Sequence, residues 1–340
     1  MSVREEGTNV PPWLVIGREL VGRCGEWVSG QELAEIGGFS RTTTWKWVNS
    51  LRRAWLDIEK EQSRGYRLRD YFDTLHPAVF LPRLEMARGD TPALFVSHHS
   101  HYHYFQMVDS TNTICARLAR EGAPQGTLVV AEGQTKGKGR SGRSWYSPPR
   151  ASLYLSLLLR PERGMVEAQR LTMMASVAMA EVLRGYCGVN ALIKWPNDLF
   201  IGSKKVAGIL VEAESKGNTM DWMVLGIGLN VNTERFPSEL EHRATSVLRE
   251  TEERWCRATV LIHLILKMEA LYLKWLSGET EELFSKWREM SYTLGRRVRT
   301  EQGFTGYAEE VTPQGGLIIR GDRGDRLVVN AGDVDVIQEP

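Results

Sequence analysis

Between residues 13 and 36 apolar side chains recur at helical spacing (Trp13, Leu14, Ile16, Leu20, Val21, then Leu33, Ala34, Ile36). Gly22, Gly25 and the Ser29-Gly30 pair interrupt them, which predicts two short helices. Gly37-Gly38-Phe39-Ser40 then reads as a turn delivering an N-cap at Ser40, and the run Arg41 to Leu56 spaces Trp45, Val48, Leu51 and Leu56 along one face. The pattern is a helix-turn-helix with Trp45 on the core side, while Trp47 fits either side. Asp57 to Lys60 and Gly65 to Leu68 predict two short strands around a polar turn, as in a winged variant.

From residue 73 to 106 the periodicity dissolves around Pro77, Pro82 and Pro92, and this stretch reads as a connection and the start of a second domain. Thr127 to Glu132 predicts a strand, and Ser152 to Leu159 another in which Leu153, Leu155, Leu157 and Leu159 share a face. Met165 to Tyr186 predicts a long helix. Further strands are predicted at Ala191 to Trp195, Val206 to Ala213 and Trp222 to Val231, and helices at Arg257 to Leu276 and Glu281 to Ser291. Their irregular alternation favours an α+β fold with a mixed sheet over a doubly wound one. Over the last fifty residues the chain changes to short strands separated by glycine-rich turns (Val298 to Thr300, Gly306 to Ala308, Leu317 to Ile319, Leu327 to Val329), which predicts a small β-barrel. These changes divide the chain into an N-terminal arm 1–12, a winged helix-turn-helix 13–73, a central domain 74–290 and a C-terminal domain 291–340.

Composition narrows the class. The 340 residues leave room for two or three cores, 42% hydrophobic and 25% charged residues are ordinary globular values, and no apolar run approaches the ~18 residues of a membrane span. The first twelve residues lack the apolar core of a secretion signal, so a cytoplasmic location is expected. Cys24, Cys115, Cys187 and Cys256 are far apart with no C-x-x-C pair, and read as buried small hydrophobes in a reduced compartment. The net charge of +1 conceals two basic concentrations: residues 40–69 carry eight Lys or Arg against three Asp or Glu, and residues 136–143 carry four cations and no acid. Both suit a phosphate-bearing partner.

The sharpest motif is Gln134-Thr135-Lys136-Gly137-Lys138-Gly139-Arg140-Ser141-Gly142-Arg143-Ser144-Trp145. Its G-x-G-x-x-G spacing invites a dinucleotide reading, but it runs into Trp145-Tyr146-Ser147-Pro148-Pro149 where that motif requires an apolar helix, and no P-loop occurs. A glycine-rich loop bearing Lys138, Arg140 and Arg143 can gather N–H groups and cations around a phosphate and stay mobile until a ligand orders it; a solvated basic loop is the bland alternative. Lys194-Trp195-Pro196-Asn197-Asp198 ends a strand with a lysine placed to meet an α-phosphate, or is merely a turn. Asp109-Ser110-Thr111-Asn112 precedes the helical run Thr113 to Arg120, where its hydroxyls could cap the helix or bind a carboxylate or ureido group. His98-His99-Ser100-His101-Tyr102-His103 would put His99, His101 and His103 on one strand face, yet lacks carboxylate or cysteine partners at metal spacing and reads as an ordinary strand.

Taken in order, Ser110-Thr111-Asn112, the Gln134 to Trp145 loop, Lys194 to Leu199, Lys205-Val206-Ala207-Gly208-Ile209-Leu210-Val211-Glu212 and Gly226-Ile227-Gly228-Leu229-Asn230-Val231-Asn232 resemble the motif set of biotin–protein ligases. The resemblance extends along the whole chain to the bifunctional BirA group, which has a winged helix-turn-helix, a biotin/lipoate-ligase-like catalytic domain and an SH3-like barrel. It implies an enzyme that uses ATP and Mg²⁺ to form biotinyl-5'-AMP and transfers biotin to a lysine of a biotin carboxyl carrier domain. It also implies operator DNA as a partner, biotinyl-AMP as corepressor, and a homodimer when the adenylate is bound. By the same resemblance Ser110, Thr111, Asn112 and Gln134 would hold the biotin head group, with Gly137, Lys138, Gly139, Arg140 and Lys194 closing on its carboxylate. Lys138, Arg140, Lys194 and Asn230 would serve the nucleotide, and Arg140 and Lys194 would be catalytic. Lys138 stands where the family commonly has arginine, keeping the charge but losing the bidentate fork.

No Ser-His or Cys-His nucleophile is evident, which fits a reaction driven by electrostatic alignment of two anions. For DNA, the N-terminal face of the third helix offers Arg41, Thr42, Thr43, Thr44 and Lys46, and the wing offers Arg64. Three alternatives stay open at this point: a ligase with a vestigial DNA module, a biotin-sensing regulator without catalysis, and a lipoate-activating relative.

Overall fold

A computed structural model describes residues 10–54, 56–70, 73–161, 166–216 and 219–337. Residues 1–9 of the expected arm, and Met165 at the expected start of the long helix, lie outside the described residues. Two compact units are present: residues 1–92 with 256–262, and residues 93–255 with 263–340.

In the first unit, α1 (Pro12–Gly22), α2 (Gly30–Gly37) and α3 (Arg41–Arg53) are followed by the hairpin of β1 (Asp57–Glu61) and β2 (Gly65–Asp70). Ser29 and Ser40 cap α2 and α3 by accepting the N–H of Glu32 and Thr43, as the Ser-x-x pattern requires. Ile16, Leu20, Val28, Leu33, Val48, Leu51, Ile58 and Leu68 form a single apolar core. The stretch expected as a connection contains α4 (Pro77–Arg88). Pro77 occupies the first turn, where no N–H is required, and Pro82 is tolerated inside because Ala78, Val79, Phe80, Leu81 and Leu84 are all buried; their burial outweighs the roughly 3 kcal/mol of an interior proline. Helix α4 packs on α1 at Gly17, where a Cβ would lie 2.0 Å from Ala78 O.

The second unit is built on a seven-stranded mixed sheet. Its strands are β3 (Tyr102–Phe105), β4 (Leu128–Ala131), β5 (Leu153–Leu159), β6 (Ala191–Lys194), β7 (Asp198–Ile201), β8 (Lys204–Lys216) and β9 (Thr219–Leu229), in the order β3-β4-β5-β9-β8-β7-β6. Among the strand pairs of the described residues in this sheet, only β3–β4 is parallel. Every residue of β5 is buried, which is why its sequence is a continuous apolar run. Helix α5 (Thr111–Arg120) lays Cys115 and Ala119 on Val129, Leu158 and Val224, and α6 (Val166–Gly185) packs on β6 and β8. The helices α7 (Val247–Thr251), α8 (Arg257–Leu276) and α9 (Glu281–Glu289) follow.

Strands β10 (Arg297–Thr300), β11 (Thr305–Val311), β12 (Leu317–Gly321), β13 (Arg326–Val329) and β14 (Val334–Val336) close the chain as an antiparallel sheet in the order β13-β12-β11-β10-β14. No ladder joins its two edges among the described residues. The fold class is therefore α+β, with the helix-turn-helix, the mixed sheet and the C-terminal antiparallel sheet all present. The histidine segment departs from its expected form: His99–His101 is a 3-10 turn and β3 begins at Tyr102, so His99 and His101 do not share a strand face with His103. Among the described residues no group of three or more His, Cys, Asp or Glu is placed to hold a metal.

Candidate active site

Strand β5 and the start of α5 build a neutral polar cradle. Ser110, Thr111 and Asn112 are 2%, 3% and 4% exposed, so each polar atom there must find a partner. Gln134 Oε1 accepts the Thr111 N–H at 2.8 Å and its hydroxyl at 3.1 Å, and Gln134 Nε2 donates to Ser147 Oγ at 3.0 Å. The Ser156 hydroxyl lies 2.6 Å from Asn112 Oδ1, and Asn112 Nδ2 donates to Glu212 at 2.7 Å. Ser110 occupies the N-cap position without a side-chain cap bond. The cap position is thus left chemically available, while Thr111 and Asn112 are held by β5, β8 and Gln134.

The glycine-rich segment, expected to be mobile without a ligand, is folded as a tight hairpin. Gly139 N donates to Arg143 O and Trp145 N to Gly137 O, with a 3-10 turn over Arg140–Gly142. Ser141 and Gly142 take the left-handed backbone conformation, at φ 53° and 73°. The cations are held from outside the segment. Lys138 pairs with Glu212 at 3.5 Å; Arg140 reaches Asn197 Oδ1 at 3.2 Å and Asp333 Oδ1 at 3.3 Å; Arg143 pairs with Asp333. Burial alone would raise the Asp333 carboxyl, but the Arg143 hydrogen bond and the charges of Arg140, Arg143 and Lys194 outweigh it and hold the group below the usual carboxylate range.

Strands β6 and β7 form a hairpin whose connection, Trp195-Pro196-Asn197, contains a cis Trp195–Pro196 bond. Lys194 ends β6 with its ammonium 5.6 Å from the Phe200 ring centroid. Opposite it, Asp198 pairs with Lys205 at 2.6 Å, and Lys205 also stands 5.3 Å from the Trp145 ring. That ring lies on the cross-strand pair Gly208 and Gly228, where a Cβ would come within 3.1 and 2.5 Å of it. Asn230 is buried; its Nδ2 is committed to Thr245 O at 3.0 Å.

The cradle, the loop cations, Lys194, Lys205 and Asn230 border one cavity of ≈ 650 Å³. Of the residues singled out from the sequence, Ser110, Thr111, Asn112, Gln134, Lys138, Gly139, Arg140, Lys194 and Asn230 line it. Gly137 does not; its role is steric, since a Cβ would lie 2.5 Å from Trp145 O. The lining also holds Arg143, expected only as a further loop cation, and Trp145, Asn197, Asp198, Lys205, Arg243, Asp333 and Asp335, to which sequence reasoning assigned no role. Six lining cations face three carboxylates, so the cavity favours a polyanion.

On α3, Arg41, Thr42 and Lys46 are exposed and Thr43 is half-buried; Arg64 is exposed on the wing turn with its guanidinium 4.5 Å from the Trp27 ring. Two expectations are corrected here. Thr44 is 1% exposed with its hydroxyl on Ser40 O, so it belongs to the inner face, and Trp45 is 48% exposed rather than core. Positions 44 and 45 lie four and three residues before Val48, so helical spacing alone admits either on the inner face.

Residues 104–230 match the biotin/lipoate A/B protein ligase family, and residues 21–67 match an HTH domain. The bifunctional ligase/repressor BirA of Bacillus spizizenii is 33% identical over 92% of this chain and 95% of its own length. That of Escherichia coli is 30% identical over 88% of this chain and 89% of its own. The chain belongs to the BirA family of bifunctional ligase/repressors. Among solved structures, the biotin protein ligase of Aquifex aeolicus in complex with biotin and ATP superposes with a TM-score of 0.61 at 30% identity, covering 70% of this chain and 99% of that one. The enzyme class is therefore biotin–protein ligase. For a BirA-family chain, Lys205 had only part of a signal: it opens the motif Lys205 to Glu212, but a register shift between β7 and β8 sets its side chain beside Gly208 and over Trp145, which strand alternation does not foretell. Asp333 had none, being one acid in a loop between short strands.

Proposed function

We propose that this chain joins biotin to ATP as biotinyl-5'-AMP with release of pyrophosphate, then passes the biotinyl group to a lysine of a carboxyl carrier domain. The observation that carries this reading is the convergence of a neutral hydrogen-bonding cradle and a cationic wall on one cavity. In it the cradle of Ser110, Thr111, Asn112 and Gln134 takes the uncharged head group. Lys138, Arg140, Lys194 and Lys205 offset the repulsion between the biotin carboxylate and the α-phosphate and the charge developing on the leaving pyrophosphate. No enzyme nucleophile is involved. Trp145, lying on the glycine pair, offers a flat face to the adenine, and Asn230 holds the loop beneath it. Mg²⁺ belongs to this reading as the counter-ion of the ATP phosphates.

The same reading makes residues 13–73 an operator-binding domain, 74–290 the ligase and 291–340 a domain that reaches its active site. The adenylate, by ordering ligase loops, would favour a homodimer and so couple biotin status to DNA occupancy. One assay tests the enzyme: with Mg-ATP and biotin, lipoate or octanoate supplied separately, pyrophosphate release and labelling of a biotin carrier domain are expected with biotin alone. Labelling with lipoate would reject the substrate assignment. A footprint that is equally strong with and without adenylate, at one salt concentration, would reject the corepressor role.

A further inference from the structure

The outward face of α3 carries a second set of residues beyond its basic N-terminus. At 100° per residue, Thr42, Trp45, Lys46, Asn49 and Arg53 fall within an arc of about 100°, with Asn49 near its middle. Trp45, Lys46, Asn49, Arg52 and Arg53 line one groove. Trp45 is 48% exposed, an unusual place for the largest apolar side chain, with the Lys60 ammonium 5.9 Å from its ring centroid, whereas Trp47 packs inward on the core.

Charge identifies the occupant. In the hairpin, Arg64, Arg67 and Arg69 are neutralised by Glu61, Glu59 and Asp57. Arg41, Lys46, Arg52 and Arg53 on α3 have no ion pair among the described residues, so the surplus of residues 40–69 is concentrated on this helix. A cationic helix face bearing an indole at i and an amide at i+4 is complementary to the major groove: phosphates flank it, and base edges present amide-sized donor–acceptor pairs and thymine methyls.

Resting on the reading of this unit as DNA-binding, we propose that Trp45 and Asn49 are its base readers, Trp45 against a thymine C5-methyl and Asn49 bidentate to N6 and N7 of a neighbouring adenine. Lys46, Arg52 and Arg53 serve phosphates. The operator half-site therefore contains an A·T-rich step whose methyl and N7 both matter.

The full chain, with biotin and Mg-ATP, is used to select duplexes from a randomised pool. In the tightest one each thymine is then replaced by uracil and each adenine by 7-deazaadenine. One uracil should weaken wild-type binding about four-fold, the value of one buried methyl. One 7-deazaadenine should weaken it roughly ten-fold. Trp45→Ala should be insensitive to that uracil and Asn49→Ala to that deazaadenine, with an unchanged salt slope because no phosphate contact is removed. Circular dichroism and melting establish that both variants are folded. Wild-type binding indifferent to every uracil and every deazaadenine would overturn the base-reader assignment while leaving DNA binding intact. Failure to select any duplex would overturn the DNA reading, and this inference with it.

Discussion

Gly226 has Asn112 where a Cβ would sit: the built position is 2.1 Å from Asn112 Oδ1, and that oxygen cannot retreat because Ser156 and Glu212 hold the amide from both ends. Gly226→Ala should therefore push Asn112 out of the cradle. Losing a buried hydrogen-bond pair costs about 1–3 kcal/mol, so the KM for biotin should rise roughly ten-fold or more with that for ATP little changed. Gly228→Ala should do the reverse, since its Cβ meets the Trp145 ring at 2.5 Å. Steady-state kinetics with each substrate varied in turn checks both, and an equal effect on both KM values in either variant would refute the division. These glycines were legible as motif members, but their reason was not: the sequence names a residue without a side chain, and only the packing shows which side chain needs the space. Lys205 shows the same limit, as Lys204-Lys205 does not say which ammonium faces inward.

At the scale of the element, α4 and the five-residue α7 are the helices the sequence did not reveal, and for α4 the cause is physical. Residues 78–82 are buried on every side, so no polar stripe marks a period, and two prolines mimic a connection. Its N-terminus is held by His76, whose Nδ1 accepts the Ala78 N–H at 3.2 Å and whose imidazole, by burial, is pushed down to about 4. The unfolded chain takes up a proton near 6.5, so between about 4 and 6.5 the unfolded state binds more protons than the folded one, and stability rises with pH. The contribution is complete above that window and is lost as pH falls through it, up to about 3 kcal/mol. Melting curves from pH 7.5 to 5 should show this loss in the wild type and a shallower one in His76→Asn, which caps without titrating. Parallel pH profiles for the two proteins would contradict it. Strand β7 was missed for a simpler reason: the turn at Asn197-Asp198 was read, but its return strand is four residues long.

At the scale of the molecule, the loop cations were legible because glycine and arginine cluster locally, whereas their restraint was not, because Asp333 lies 193 residues from Arg140. That carboxylate joins the C-terminal sheet to the loop expected to close over the adenylate. Asp333 and Arg140 are each 26% exposed at the side chain, so after solvent screening their pairing contributes about 1 kcal/mol, or roughly five-fold in the open-to-closed ratio of the loop. Asp333→Asn keeps the shape and removes the charge. It should release biotin from preformed adenylate about five-fold faster than wild type when no acceptor is present, as followed in single-turnover trapping. Arg140→Gly should leak more, because it also strips a cation from the phosphate. Since Asp333 acts through Arg140 and Arg143, combining the two substitutions should add less than the sum of their effects on the logarithm of the rate. The lowered Asp333 carboxyl stays ionised from pH 6 upward, so its contribution should be flat from there to pH 9 and fail only in acid. Full additivity, or adenylate retained by Asp333→Asn as long as by wild type, would show that the C-terminal sheet does not hold the loop shut.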